Sequence, residues 1–380
     1  MNQSLVVNVF FDVNGSVENF VQLLNKATQQ PETKALFVLA CDENGFTPQS
    51  IDVHLKALQL PICGASFPQI IYQKQHYTKG TLICSLSKPL DIYNAHNFVD
   101  YQRDDAFLPD CEWLNRAQSV IVLIDAMSGN NEPFIDNLYN HLGPMIPIAG
   151  GLAGSATFQP KACIFSNQGL LSNVAQLIHF PGKLHIGVQH GWQPIAGPFL
   201  VTHSEGNKLF SLNYEPAFQV YRKVIEPLVN RSFDEEEFFA IAKEFPLGFE
   251  RIGDELLARI PLFLEGETLV FPGGIPQNAL TYILRGHLDK LIQAAGNAVH
   301  EALEQTNPQD SKIALNFNCI CRYLFLENDF AKELSETEAA LPPNTPLCGA
   351  LTLGEIAGSS KGGVQLFNNT TVIGLLSATV

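Results

Sequence analysis

Hydrophobic positions along the chain fall into short apolar runs closed by Gly, Pro or Asn, and between them lie stretches with helical spacing. The tightest such pattern runs from Lys312 to Ser377. It opens with the apolar run Ile313 to Cys319, which leads directly into Ile320-Cys321-Arg322. A helix-like acidic segment, Glu327 to Leu341, follows. Then come Pro346-Leu347-Cys348-Gly349-Ala350 and Leu353-Gly354-Glu355-Ile356, and the closing run Asn368 to Leu376. Runs of four to eight β-branched and apolar residues between turn formers read as strands. The stretch therefore predicts strand, helix, Pro-x-x-Gly strand, glycine-rich loop and strand.

The same order occurs twice upstream. In the first copy Ala35 to Cys41 is a strand and Thr47 to Leu60 a helix. Pro61-Ile62-Cys63-Gly64-Ala65 is the Pro-x-x-Gly element, and Gly80 to Leu86 closes it. In the second, Ser119 to Asp125 is a strand and Asn131 to Leu142 a helix. Pro147-Ile148-Ala149-Gly150-Gly151 is the element and Val174 to Phe180 the closing strand. Internal similarity of this kind sets architecture before any single motif does. It predicts a duplicated α/β unit: mixed sheets with helices packed on them, in two lobes built from repeated strand–helix–strand units.

Around these units, residues 5 to 13 read as a strand and Val17 to Thr28 as a helix, while Lys88 to Arg103 has no clear period and reads as a linker or surface loop. Between the second and third units lies an insertion with its own pattern. Thr202 to Leu212 reads as a hairpin turning at Glu205-Gly206-Asn207, and Pro216 to Val229 as a helix. Ser232-Phe233-Asp234-Glu235-Glu236-Glu237 reads as an N-cap with an acidic first helical turn. Leu256 to Phe263 and Thr268 to Phe271 read as a second hairpin, and Gly286 to Leu303 as a helix. A composition shift near Arg231 places a domain boundary there, giving 1–230 and 231–380.

Composition narrows the function classes. The chain has 380 residues, 46% hydrophobic and 16% charged, which is globular and long enough for two domains. A net charge of −15 lacks the basic footprint that nucleic acid or an anionic membrane surface requires. No apolar run approaches the roughly 20 residues of a membrane span, and the N-terminus lacks a basic n-region, so a cytoplasmic protein without membrane insertion is expected. The 8 cysteines lie mostly inside apolar runs and read as reduced core residues.

Candidate chemistry is sparse. Gly150-Gly151-Leu152-Ala153-Gly154-Ser155 lacks the Gly-Lys-Ser/Thr of a phosphate loop, and its glycines read as sites of close backbone approach, either between strands or to a ligand. Cys319-x-Cys321 has no second pair or His spacing to complete a zinc site. No nucleophile, base and orienting acid share a recognisable spacing, so no catalytic residue is assigned. A thiol enzyme using Cys63 or Cys348 would need a depressed thiol pKa and a nearby base. Arg322 and Glu355 are charges set at the ends of apolar strands beside glycine, where α/β sheets present ligand crevices. Arg322 could fork a ligand carboxylate, or the two could form a structural ion pair with each other. Of 10 histidines, His190 follows an apolar run and is flanked by Gly191 and Trp192. It is either a functional imidazole or a hydrogen-bonded structural one.

Three stretches resemble the FIST-domain family. They are Pro147 to Gly154; Gly191-Trp192-Gln193-Pro194-Ile195 with Val201 to Asn207 and Pro216-Ala217; and Phe317 to Arg322 with Gly349 and Gly354-Glu355-Ile356. The resemblance spans nearly the whole chain, as an N-terminal module over 1–230 and a C-terminal module over 231–380. The run Cys63 to Pro68, and Cys321 before the Arg, depart from the family pattern. The resemblance implies a non-catalytic small-ligand sensor whose signal passes to another protein. From their positions at strand ends and in glycine-rich turns, Arg322, Glu355, Gly349, Gly354, Gly150 and Gly151 are the residues expected to line the ligand site. The resemblance further implies, by likeness to a stand-alone bacterial group, a haem b sensor of nitric oxide that regulates a separate histidine kinase. His190 is then the expected iron ligand. An amino acid or similar metabolite, its carboxylate on Arg322, is the alternative ligand.

Overall fold

The computed structural model describes residues 5–96, 98, 116–180, 182–250, 256–359 and 362–377. The hydrophobic periodicity is realised closely. The helix Val17–Thr28 buries Phe20, Leu23, Leu24 and Ala27 along one stripe, and the Ser16 side chain caps it by accepting from the Asn19 amide. All seven residues of the strand Ala35–Cys41 are buried, as a strand covered on both faces requires.

Three six-stranded sheets share one plan. In each, the first strand of a unit runs parallel to its Pro-x-x-Gly strand on one side and antiparallel to its closing strand on the other. The first sheet pairs Ala35–Cys41 with Ile62–Phe67 and Thr81–Leu86. The second pairs Val120–Asp125 with Ile148–Ala153 and Val174–His179. The third pairs Ser311–Cys319 with Leu347–Thr352 and Thr371–Ser377. The order within each triplet is identical, as duplication predicts. Each closing strand has one more antiparallel partner: Val6–Asp12, Asp91–His96 and Lys183–Gln189 respectively. Asp91–His96 falls where the sequence suggested a linker. It is an edge strand whose side chains are mostly half-exposed, which blurs the hydrophobic alternation.

The units interlock by exchange. After its Pro-x-x-Gly strand, each unit extends a hairpin onto a neighbour's sheet. Gln69–Tyr72 of the first unit pairs with Leu347–Thr352. Ile164–Ser166 of the second pairs with Ile62–Phe67. Glu355–Ser359 of the third pairs with Ile148–Ala153. The inner faces of the three sheets meet in one core, with Phe37, Leu123, Phe317, Cys63, Ala149 and Cys348 in the same cluster. Helices cover the outer faces. Strands from both sides of residue 230 share the second and third sheets.

The parallel pairing inside each unit explains the repeated glycine. Gly64, Gly150 and Gly349 sit in register with Val38, Val122 and Asn316 of their own first strands. A Cβ there would lie 1.9, 1.8 and 2.1 Å from the carbonyl oxygens of those residues. The Pro-x-x-Gly motif is thus a strand-packing device, the close backbone approach for which glycine is suited.

The insertion forms the second lobe, an eight-stranded sheet with its own core around Tyr221, Phe245, Phe249 and Ile283. The hairpin turning at residues 205–207 is present as Gln193–Glu205 and Lys208–Leu212. The expected acidic first turn is not: the helix begins only at Phe238. The preceding acids are held by arginines instead, Asp234 by Arg222 and Glu236 by Arg231. The second hairpin is present as Phe263–Glu265 with Thr268–Val270, but Leu256–Arg259 is a separate strand that pairs with Leu247–Glu250, which carries Arg259 to the seam between the lobes.

Candidate functional site

Arg322 lies in the first turn of the helix Ile320–Leu326, which begins where the strand Ser311–Cys319 ends. It is fully buried. Its Nε and Nη2 donate to the two carboxylate oxygens of Glu333 at 3.1 and 2.9 Å. Nη1 donates to the carbonyls of His190 at 2.6 Å and Asn369 at 3.2 Å, and Nη2 also to that of Leu291 at 2.9 Å. These five bonds use all five guanidinium donors, so Arg322 has none left for a ligand carboxylate. Its ion-pair partner is Glu333, not Glu355.

Glu355 is also fully buried, accepting from Thr352 Oγ1 at 2.7 Å and the Thr370 amide at 3.3 Å. Burial, with Cys319 alongside, pushes its pKa well above the carboxylate range. Its surroundings favour the protonated form over the carboxylate. Gly151 and Gly354 serve packing in the same region: a Cβ on Gly151 would meet Thr352 Cγ2 at 2.5 Å, and one on Gly354 would meet Leu366 and Leu152. None of Arg322, Glu355, Gly349, Gly354, Gly150 or Gly151 lines any of the clefts described here.

His190 ends the strand Lys183–Gln189, as its sequence position suggests. Its Nδ1 accepts from the Trp192 amide at 2.9 Å. Burial, then the charge of Arg322, lowers its pKa to about 4. The neutral ring therefore carries its single proton on Nε2, and the Nδ1 lone pair is already used. That tautomer offers iron no free lone pair, so His190 does not fit an axial ligand in this arrangement.

The cleft richest in binding chemistry is one the sequence reading did not identify. It has a volume of about 580 Å³ and lies at the seam of the two lobes, within the usual size range of small-ligand sites. The insertion contributes Arg259 and Gly274. The helix Asn131–Leu142 contributes Glu132 and Asp136, and the exchanged hairpin of the third unit contributes Val364 and Leu366. Arg259 is only 3% exposed. Its Nη2 donates to Glu132 Oε1 at 2.7 Å, and Nη1 donates to the Leu366 carbonyl at 2.9 Å and to Asn368 Oδ1 at 3.0 Å. Glu132 Oε2 accepts from the Gly274 amide at 2.6 Å. Nε of Arg259 is buried and has no hydrogen-bond partner among the described residues. Burial lowers the Arg259 pKa, opposed by Glu132: the cation is incompletely compensated.

A second cleft, about 550 Å³, lies where the helix Phe238–Ala242 meets the helix Ile320–Leu326. His76 lines it, its Nδ1 2.7 Å from Gln69 Oε1 and its ring packed on Tyr323 and Phe330. Because the amide oxygen only accepts, Nδ1 carries the proton and Nε2 keeps its lone pair. Burial lowers the pKa of this ring, so it is neutral at pH 7.

Cys63 and Cys348 are buried, and both are pushed well above the ordinary thiol pKa, Cys63 chiefly by burial and Cys348 chiefly by its contact with Cys84. Among the described residues no group of three or more His, Cys, Asp or Glu is placed to hold a metal ion, and no helix is long and apolar enough to cross a membrane.

Sequence reasoning overlooked Arg259, Glu132, His76 and Glu333. Arg259 carried the signal that drew attention to Arg322, a lone charge in the apolar run Leu256 to Pro261, with Gly273-Gly274 downstream. Compared with known families, residues 35–215 match the FIST N domain and residues 217–358 match the FIST C domain. A search of curated proteins found no match.

Proposed function

The chain belongs to the FIST family, whose domains are associated with small-ligand sensing in signalling proteins, and from that premise we propose that it senses a small amino-acid-like carboxylate in the Arg259 cleft. The observation that carries this reading is a buried guanidinium that belongs to the lining of a cleft and whose Nε donor has no hydrogen-bond partner among the described residues. A buried charge is retained only where partners compensate it, and a carboxylate that took Nε would supply the missing acceptor in a charge-assisted bond. Glu132 and Asp136 are the acids that would face an ammonium group, and Ile135, Leu257, Ile275 and Val364 form an apolar wall for an aliphatic side chain. L-Leucine presents all three features.

Because both lobes contribute to the cleft, an occupant that binds the closed arrangement better than an open one shifts the balance between them. The lobe surface is then the output, read by a separate signalling partner in the cytoplasm, of which a histidine kinase is the kind proposed. The test is a thermal-shift screen of the twenty L-amino acids, with Arg259→Gln as comparison. An aliphatic amino acid should stabilise the wild type, by about 2.7 kcal/mol at a hundred times its Kd, and leave the variant unmoved. Equal shifts in both would remove Arg259 from the site.

One observation favours a second reading, the free Nε2 of His76. If haem b is the ligand, His76 is the residue that fits it: Gln69 fixes the tautomer, and Tyr323 and Phe330 pack against the ring. Haem would supply an iron at which nitric oxide binds. Reconstitution should then give a Soret band lost in His76→Ala and kept in His190→Ala. No Soret band in the wild type, or one lost only in His190→Ala, would end this reading.

A further inference from the structure

Hydrogen bonds from Arg259 and from Arg322 meet on consecutive residues of a single turn. Arg259 Nη1 donates to Asn368 Oδ1 at 3.0 Å. The next residue, Asn369, gives its carbonyl to Arg322 Nη1 at 3.2 Å and to the Trp192 indole N–H at 2.9 Å. Arg322 then holds the His190 carbonyl at 2.6 Å, and Trp192 immediately precedes Gln193, where the insertion's long first strand begins. The turn is buried on all sides: Asn368, Asn369 and Thr370 are at most 2% exposed.

Two features make this turn suited to a second arrangement. Asn369 is in the left-handed region, φ 55°, which asparagine tolerates better than most residues. Both its side-chain polar atoms, with Asn318 Oδ1 and Asn316 Nδ2, are buried without hydrogen-bond partners among the described residues. A buried network left partly satisfied gains bonds by rearranging, whereas a fully satisfied one does not.

We propose that the Asn368–Asn369 turn is the relay that couples occupancy of the Arg259 cleft to the 190–192 segment leading into the insertion lobe. The proposal rests on the sensing reading for what enters the cleft, but the coupling is a property of the chain itself. A carboxylate that draws Arg259 toward its Nε side weakens the Nη1 bond to Asn368. The turn then shifts, and with it the Asn369 carbonyl that Arg322 and Trp192 share. In the reverse direction, loosening the Trp192 end alters the cleft, as linkage requires.

The test is hydrogen–deuterium exchange on the full chain. Asn368→Ala removes the side chain Arg259 holds and leaves both arginines in place. Exchange at residues 190–192 should speed up about tenfold, the factor corresponding to a lost hydrogen bond of ordinary net strength, while the strand Ala35–Cys41 stays as protected as before. Asn368→Asp, which keeps an acceptor oxygen, should restore protection. Faster exchange confined to 366–371 would overturn the relay. If Asn368→Ala does not fold, Trp192→Phe reads the path from its other end: the Thr370 amide should exchange faster, and an unchanged rate overturns the proposal. L-Leucine separates the two readings. Binding lost in Arg259→Gln, with no change at 190–192 on saturation, overturns the relay and leaves the sensing reading standing. No binding at all removes the sensing reading, and the Asn368→Ala result still decides the relay.

Discussion

Arg259 and Arg322 grip consecutive residues of one buried turn, Arg259 through Asn368 Oδ1 at 3.0 Å and Arg322 through the Asn369 carbonyl at 3.2 Å. The two differ in one respect that separates their roles. Arg322 spends every donor on the protein, whereas Arg259 leaves its buried Nε without a hydrogen-bond partner among the described residues. The first is a structural clamp, and the second lines the cleft at the lobe seam.

Breaking the clamp should cost stability. Arg322 and Glu333 are both 0% exposed, and removing one partner of a buried pair strands the other charge, at a cost of about 3–5 kcal/mol. Glu333→Gln and Arg322→Gln should each lower the urea midpoint by that order. Loss of less than about 1 kcal/mol in both, the value of an exposed pair, would mean the pair is not buried as described.

The repeated glycine offers a sharper structural test. Gly150→Ala places a Cβ 1.8 Å from the Val122 carbonyl oxygen, so the strands must part. The expected loss is about 3 kcal/mol or more. Gly266→Ala is the control, since its φ is 63° but nothing lies within 4 Å of the added carbon; strain alone should cost about 1 kcal/mol. Similar melting temperatures for the two variants would contradict the close parallel pairing of Gly150 with Val122.

His190 gives the chain an acid-sensitive term. Its folded pKa, about 4, lies below the ordinary 6.5. The unfolded state therefore takes up a proton first as pH falls, and the stability contributed above pH 6.5 is lost as pH drops toward 4. His190→Asn keeps an acceptor for the Trp192 amide and removes the titration. Urea midpoints between pH 7 and 4.5 should fall less in this variant than in the wild type. Parallel curves would show that the imidazole is not held neutral.

Glu355 acts in the opposite sense. Its folded pKa is raised, so its contribution is present below the unfolded carboxylate pKa and declines as pH rises above about 4.5, where the unfolded state ionises and the folded one holds its proton. Glu355→Gln should flatten that decline and make the protein more stable than wild type at pH 8. An unchanged slope from pH 5 to 8 would place the carboxylate in a charged pair.

The fold was legible because its period is strong. Fully buried strands such as Ala35–Cys41, and helices with a clear apolar stripe such as Val17–Thr28, show in the residues themselves. The repeated Pro-x-x-Gly order revealed the three units. The exchange of hairpins did not show, because it depends on which sheet an edge strand joins, and short strands such as Gln69–Tyr72 pair by register, not composition. The site was hidden for the same reason. Arg322 and Arg259 look alike in sequence, each a charge in an apolar run. What separates them is Glu333, 11 residues past Arg322 and one helix away, which fills one guanidinium, and the lobe seam that leaves the other incompletely paired.

The central claim is that the Arg259 cleft takes a carboxylate ligand. Isothermal titration of L-leucine into the wild-type chain, Arg259→Gln and Glu132→Gln tests it most directly. The account predicts saturable binding in the wild type, weakened at least tenfold in Arg259→Gln, since a lost charge-assisted hydrogen bond is worth about 1.5–3 kcal/mol. Glu132→Gln, which keeps Arg259 but removes the acid facing the ammonium, should weaken it as well. Binding of equal strength in all three proteins would contradict the account.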